Sequence, residues 1–392
     1  VNEPFAMSVV PNEAIRRGAP WLSGAGAAAE VVISSRVRLA RNLAGAPFPG
    51  RCNAEQRLAV LGACRKEIVS AGLAASGARL TWADVHGLPT LERQVLLERH
   101  LISKEHAGLK QADGSAAAGA GASGAQQVKP PGVGPARGVA FTLPDESLSI
   151  MVNEEDHLRL QVLRPGLALT EAWKQADAAD DALEATLGYA YSPRLGYLTA
   201  CPTNVGCAVR MSVMLHLPAL RLTGDVEKVR RATRDMALAV RGFYGENSEA
   251  AGDLFQISNQ TTLGKSEAVL LRDLEREILP EVIAYELTSR KLLLEKRRRF
   301  VDDQVCRALG LLRSARLLTP EEALSQLSLV RLGVLTGLIG GVEEQAVTQL
   351  FLLTQPAHLQ RAIGRELNQQ GRREARADLC RAALAGAAPT GG

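Results

Sequence analysis

Hydrophobic and polar positions alternate twice between residues 147 and 163. Leu148, Ile150 and Val152 interleave with Ser147, Ser149 and Met151, and Leu158, Leu160 and Val162 with Arg159, Gln161 and Leu163. Period two on both flanks predicts two half-buried strands joined by the turn Asn153-Glu154-Glu155-Asp156-His157. Residues 31–40 alternate as well, which puts Ser34, Arg36, Arg38 and Ala40 on one strand face. Further strands are expected over 139–143, 196–200 and 254–258. Another follows the turn CPTNVG (residues 201–206), with Arg210, Ser212, Met214 and His216 on one face and Val213 and Leu215 turned to the core. Helical spacing appears at 54–70, through Leu58, Leu61, Cys64 and Ile68, and again at 91–102, 169–187 and 225–240, with Thr170 a plausible N-cap. From residue 265 to 385 the pattern is helical throughout, with boundaries marked by Pro280, Pro320 and Pro356. Strands mixed with helices and then helices alone predict an α+β domain followed by a separate helical one.

Composition narrows this frame. The chain has 392 residues and a net charge of +4 from 46 basic and 42 acidic side chains, a balance too even to argue for nucleic acid or an anionic membrane. No apolar run reaches the length of a membrane span, and no signal peptide is visible. Six scattered cysteines without a CxxC pair or zinc spacing suit a reducing cytoplasm. Residues 1–30 end in small side chains and read as a flexible entry. Residues 107–138 are rich in Ala, Gly and Pro and lack large apolar groups, so they are expected to be a disordered insert.

Two places carry candidate chemistry. Three carboxylates and an imidazole within five residues repel themselves unless a cation is near, so the acidic turn is either a solvated hairpin tip or a grip for a cationic group such as a guanidinium. Arg36 and Arg38 on one face are either a basic edge strand or a clamp for an anion. The run Lys296-Arg297-Arg298-Arg299 reads as a solvated helix face. Gly264-Lys265-Ser266 looks like the end of a Walker A loop, but position 259 is Asn where that loop needs Gly.

The motifs NEEDHLR (153–159), SSRVRLARN (34–42), CPTNVG (201–206), VRMSVMLHLPAL (209–220) and RGFYGENSEA (241–250) resemble the guanidino (phosphagen) kinases. Within that superfamily the chain is most similar to the bacterial protein-arginine kinases of the McsB type. The resemblance implies a guanidino-kinase catalytic domain over 31–264, with a mainly antiparallel sheet flanked by helices, and an all-helical dimerisation or regulatory domain over 265–392. It implies ATP with Mg²⁺, its phosphates held by Arg36, Arg38, Arg159, Arg210 and Arg241. It assigns Glu155 as the catalytic base, Glu246 as the second carboxylate on the guanidinium, and Cys201 as a reactive thiol beside it. Glu154 and Asp156 then serve a metal or the local hydrogen bonds; no metal ligands are assigned. Cys207 stands where the family usually has Gly or Thr.

The helical region follows the core, as it does in the protein-arginine kinases. The expected reaction is therefore transfer of the γ-phosphoryl group of ATP to arginine side chains of proteins, in bacterial stress response and protein quality control. Expected partners are protein substrates, an activator protein, an unfoldase-protease and a second copy of the chain. The alternatives are a kinase for free arginine or another small guanidino compound, and an inactive phosphoarginine-binding adaptor. Arg372-Arg373-Glu374-Ala375-Arg376 places Arg where the family has an Asp in a basic C-terminal segment.

Overall fold

The alternating segments assemble into one sheet. A computed structural model describes residues 8–109, 135–235, 238–242 and 251–390. Its strands are β1 (Val32–Arg41), β2 (Arg79–Ala83), β3 (Gly138–Leu143), β4 (Leu148–Val152), β5 (Leu158–Pro165), β6 (Tyr191–Ser192), β7 (Gly196–Tyr197), β8 (Val209–His216), β9 (Leu238–Gly242) and β10 (Leu254–Asn259). Eight of them form a sheet in the order β2-β3-β4-β5-β1-β8-β10-β9. Every neighbouring pair in it is antiparallel. The α+β class is as expected. β1 lies between β5 and β8 at the heart of the sheet, so Arg36 and Arg38 are not on an edge.

The helices are α1 (Asn12–Arg17), α2 (Ala54–Ser70), α3 (Thr90–Glu98), α4 (Lys104–Ala107), α5 (Leu169–Glu184), α6 (Pro218–Thr223), α7 (Val226–Asp235), α8 (Glu267–Arg272), α9 (Leu279–Lys296), α10 (Arg298–Ser314), α11 (Pro320–Leu335), α12 (Glu344–Leu353), α13 (Pro356–Ile363) and α14 (Gln369–Ala383). No helix among the described residues is long and apolar enough to cross a membrane. One face of the sheet presents Val37, Leu39, Leu160, Val162, Met211 and Val213 to α2 and α5. Each fully buried aliphatic side chain there contributes about 1.5–3 kcal/mol. On the opposite face, Ile33, Leu163, Met214 and Leu254 share a second core with Trp21, Leu22 and the helices α10, α11, α12 and α14. Leu270, Leu274, Leu279 and Val282 belong to the first core, so α8, the π-helix Asp273–Ile278 and the start of α9 pack with the sheet.

Several local expectations give way to tertiary packing. Residues 8–30 are not a flexible entry: Val10, Ile15, Trp21 and Leu22 are buried, and Ala27 bridges to Leu167. The hairpin strands β4 and β5 are buried on both faces rather than half-buried, because helices cover each side. In α2 the buried stripe is Val60, Leu61, Cys64 and Ile68, and Leu58 points to solvent. α3 stops at Glu98 because His100 adopts φ 59°, and the Leu101 N–H turns back to the Leu96 carbonyl. Thr170 is not a cap, since Glu275 reaches across to accept from its N–H and its hydroxyl.

The strand expected over 196–200 is only Gly196–Tyr197. The helix expected over 225–240 ends at Asp235, and Leu238–Gly242 pairs with β10 as an edge strand. At the ends of the expected insert, Ala107 and Ala136 are buried. The rest of that insert, 110–134, lies outside the described residues. The basic run 296–299 is exposed, as expected, but lies at the break between α9 and α10. The Walker-like residues serve locally: Lys265 pairs with Asp273 at 3.2 Å and Ser266 caps α8.

Candidate active site

Strand register brings the arginines together. Across the sheet Arg38 pairs with Arg210 on one side and Gln161 on the other, Arg36 with Ser212, and Ala40 with Arg159. Because directly opposed residues share a sheet face, Arg36, Arg38, Arg159 and Arg210 project from the same one. Burial, followed by the charges of Arg159, Arg36 and Arg210, holds the Arg38 pKa well below its usual value. Arg36 donates to Ser212 Oγ at 3.3 Å and to Gln256 Oε1 at 3.0 Å, and Arg210 Nε to the Asn259 carbonyl at 3.3 Å. Arg38 donates to no acceptor among the described residues. Such a cluster of guanidinium groups is a preformed seat for a polyanion. In β9 the backbone of Arg241 pairs with that of Gln256 in β10. Glu246 lies outside the described residues.

The acidic turn crosses one corner of this face, and its carboxylates differ. Glu154 is buried, pairs with Arg159, and accepts from Ser103 Oγ at 2.6 Å. Burial raises its pKa, but Arg159 and Ser103 outweigh that and hold it at about 2. Asp156 is buried and its Oδ1 accepts from both Asn42 Nδ2 and the Ala200 N–H, each at 2.6 Å. Glu155 alone of the three is exposed. Partial burial of its carboxyl, then the charges of Asp156 and Glu154, push its pKa up. A carboxylate that is accessible and more basic than usual is suited to accept a proton. His157 is fully buried, accepts from the Leu43 N–H and donates to the Pro47 carbonyl, so it fastens the loop after β1 as a neutral ring.

The same hydrogen bonds tie Cys201 to the turn. Cys201 is half-buried at the head of the 3-10 turn Pro202–Asn204, its Sγ 3.0 Å from Thr203 Oγ1. Thr262 Oγ1 donates to the carbonyls of Val205 and Thr203, and Gly206 adopts φ 117° where a Cβ would sit 2.4 Å from the Thr262 carbonyl oxygen. Only glycine permits that approach. Cys207 is a free, half-buried thiol whose pKa burial raises. The residues that sequence reasoning did not single out are Asn42, Ser103 and Gln256. Asn42 ends a quoted motif, but period two describes faces and says nothing of a residue beyond the strand end. Ser103 and Gln256 carry no local signal.

The residues 65–289 match the family model of the ATP:guanido phosphotransferase C-terminal catalytic domain. Residues 298–391 match that of the protein-arginine kinase McsB C-terminal domain. Among solved structures, lombricine kinase aligns with a TM-score of 0.52 at 23% identity over 70% of this chain and 75% of that one. The duplicated taurocyamine kinase from Schistosoma mansoni, with transition-state-analogue components bound, aligns with a TM-score of 0.52 at 24% identity over 66% of this chain and 33% of that one. These likenesses define the fold as that of a guanidino-kinase catalytic domain. Proteins named protein-arginine kinase from Moorella thermoacetica and Symbiobacterium thermophilum are 42% and 43% identical to it, each over 95% of this chain and 99% of the relative. The chain belongs to the protein-arginine kinase family.

Proposed function

We propose that this enzyme transfers the γ-phosphoryl group of ATP to the guanidinium of arginine residues in proteins. The observation that carries the reading is the pairing of a four-arginine sheet face with the exposed, basic Glu155 at its corner. Phosphoryl transfer is mostly positioning and charge neutralisation, and this face offers both to a triphosphate. Arg36, Arg38, Arg159 and Arg210, with Arg241, hold the phosphates. Glu155 takes the proton from the guanidinium as the phosphoryl group arrives, with Glu246 the second carboxylate on its nitrogens. Cys201 lies beside the acceptor.

Among the described residues no group of three or more His, Cys, Asp or Glu could hold a metal ion. Mg²⁺ therefore enters as the nucleotide complex, held chiefly by phosphate oxygens, as that ion prefers. The natural setting we infer is the cytoplasm, in stress response and protein quality control, with an activator protein and an unfoldase-protease as partners. Dimerisation would use the helical region, whose Leu287, Leu292 and Leu317 are exposed. The decisive experiment offers MgATP with either a mixed protein substrate or free L-arginine and measures acid-labile phosphate. Protein should be the far better acceptor by kcat/KM. A preference for free arginine would overturn the protein-kinase reading and leave the arginine face and Glu155 in place.

A further inference from the structure

Asn42 joins the two segments that carry Glu155 and Cys201. It follows β1, is 1% exposed, and uses both polar atoms of its side chain. Its Nδ2 donates to Asp156 Oδ1 at 2.6 Å and to the Leu198 carbonyl at 3.1 Å, and its Oδ1 accepts from the His157 N–H at 2.9 Å. Asp156 Oδ1 also accepts from the Ala200 N–H at 2.6 Å. Asn42, the acidic turn and residues 198–200 therefore close a ring of hydrogen bonds. An amide can donate twice and accept at once, which neither a carboxylate nor a hydroxyl can do.

Glu155 and Cys201 each lie one residue from this ring. Glu154 is pinned by Arg159 and Ser103, and Asp156 by Asn42 and Ala200. Glu155 between them is exposed, so the backbone that its neighbours hold sets its place. On the other side Cys201 follows Ala200, and the Thr199 hydroxyl donates to the Cys201 carbonyl at 2.7 Å. The Asn42 carbonyl strengthens that side. It accepts from the Ala190 N–H at 2.7 Å, and the Ala190 carbonyl accepts from the Leu198 N–H at 2.9 Å. The arginine face is tied elsewhere, Arg36 to Ser212 and Gln256 and Arg210 to Asn259. A change at Asn42 should thus reach the acceptor side and spare the phosphate side.

We propose that Asn42 is a positioning residue for phosphoryl transfer, fixing Glu155 and Cys201 at one spacing about the guanidinium. The inference rests on the reading of Glu155 as the base and of Cys201 as lying beside the acceptor. Asn42 acts through Asp156 and the two backbone segments, and Asp156 serves as the acceptor that closes the ring. A misplacement of about 1 Å at such a site costs roughly a hundredfold in rate.

The test uses the full chain and reverses the pair. Asn42→Asp sets a second carboxylate against Asp156, and Asp156→Asn sets a second amide against Asn42. In the double variant the carboxylate at 42 accepts from the amide at 156 and from the His157 N–H, and the amide oxygen at 156 still accepts from Ala200. Only the bond to Leu198 is lost. Each single variant should lower kcat about ten- to a hundredfold with KM for ATP within about twofold. The double variant should recover to within about fivefold of the wild type. Rates are taken well below each melting temperature, where a loss of stability alone leaves kcat unchanged. Full kcat in the single variants would confine Asn42 to stability and overturn the proposal. So would a double variant as slow as the singles, since a carboxylate would then be needed at 156 itself. If Asn42→Asp does not fold, Asn42→Ala removes the amide without adding charge, and the same split between kcat and KM decides. Glu155→Gln in the same assay isolates the underlying reading. Full rate there removes the base and this proposal with it, whereas a slow Glu155→Gln beside fast Asn42 variants sinks the proposal alone.

Discussion

Two sets of arginines in this protein, one buried and one half-buried, are solvated by opposite means. Where the helical region meets the rest of the chain, each guanidinium is surrounded by internal acceptors. Arg331, fully buried, bonds to Glu344, Thr348, His216 and the carbonyls of Ala29 and Glu30. Arg99 has both oxygens of Glu146, the carbonyls of Ala14 and Gly18, and His358. On the sheet face the charges that act most on Arg38 are those of Arg159, Arg36 and Arg210, opposed by Glu154. The first set makes structure, since a paired and hydrogen-bonded buried charge holds specific elements together. On the reading proposed above, the second set, Arg38 most of all, awaits an anion from outside, at a cost in mutual repulsion. Number of arginines does not distinguish the two regions; the company they keep does.

The sharpest way to break this contrast is to remove one member of each set. Arg38→Met should cut phosphoryl transfer about a thousandfold and leave stability equal or higher, because a repelled charge is gone. Arg331→Met should cost about 3 kcal/mol or more in urea denaturation, since Glu344 and His216 lose their partner. If both variants lost the same stability, the distinction would fail. Within the turn, Glu155→Gln should lower the rate at least about a hundredfold with ATP binding intact. Glu154→Gln should show first as lost stability, because Arg159 is left with its buried counter-charge removed. A Glu155→Gln enzyme near full rate would take that residue out of the mechanism.

Two smaller effects refine the comparison. Tripolyphosphate, at a hundred times its Kd, should stabilise the wild type by about 2.7 kcal/mol. Arg331→Met should keep that increment in thermal melts, and Arg38→Met should lose most of it. Acid titration should then separate the carboxylates. Glu154 has a folded pKa of about 2 against an ordinary 4.5, so its contribution is complete above pH 4.5 and is lost as pH falls towards 2. Glu154→Gln should lack that part of the acid transition. Glu155 has its pKa raised, so the rate should climb with pH through a value above 4.5.

Much of the arginine face was legible in the sequence, because alternation in 34–40 and 209–216 is a local property of strands. That β1 sits between β5 and β8 was not, since neighbours in a sheet are chosen by tertiary packing. The acidic turn was legible as a cluster of charge. The division of labour within it was not: it depends on Ser103, Asn42 and the Ala200 N–H, which approach from distant positions. The same limit explains Thr170, whose expected capping role is displaced by Glu275, and Leu238 and Val240, which leave a helical pattern to pair with β10. Trp21 lay in a stretch read as flexible because its neighbours are small; its ring partner, His100, comes from just after α3.

The second core has a practical consequence for anyone dividing this chain. Ile33, Leu163, Met214 and Leu254 come from the sheet, yet most of the side chains that share their core come from residues beyond 290. A fragment ending at residue 264 would uncover much of that core, together with the His216 ring and the Asp253 carboxylate, which now meet Ser328 and Arg331. It would be a sticky half-molecule, and protease nicking between the two parts should leave them associated until denaturant is added.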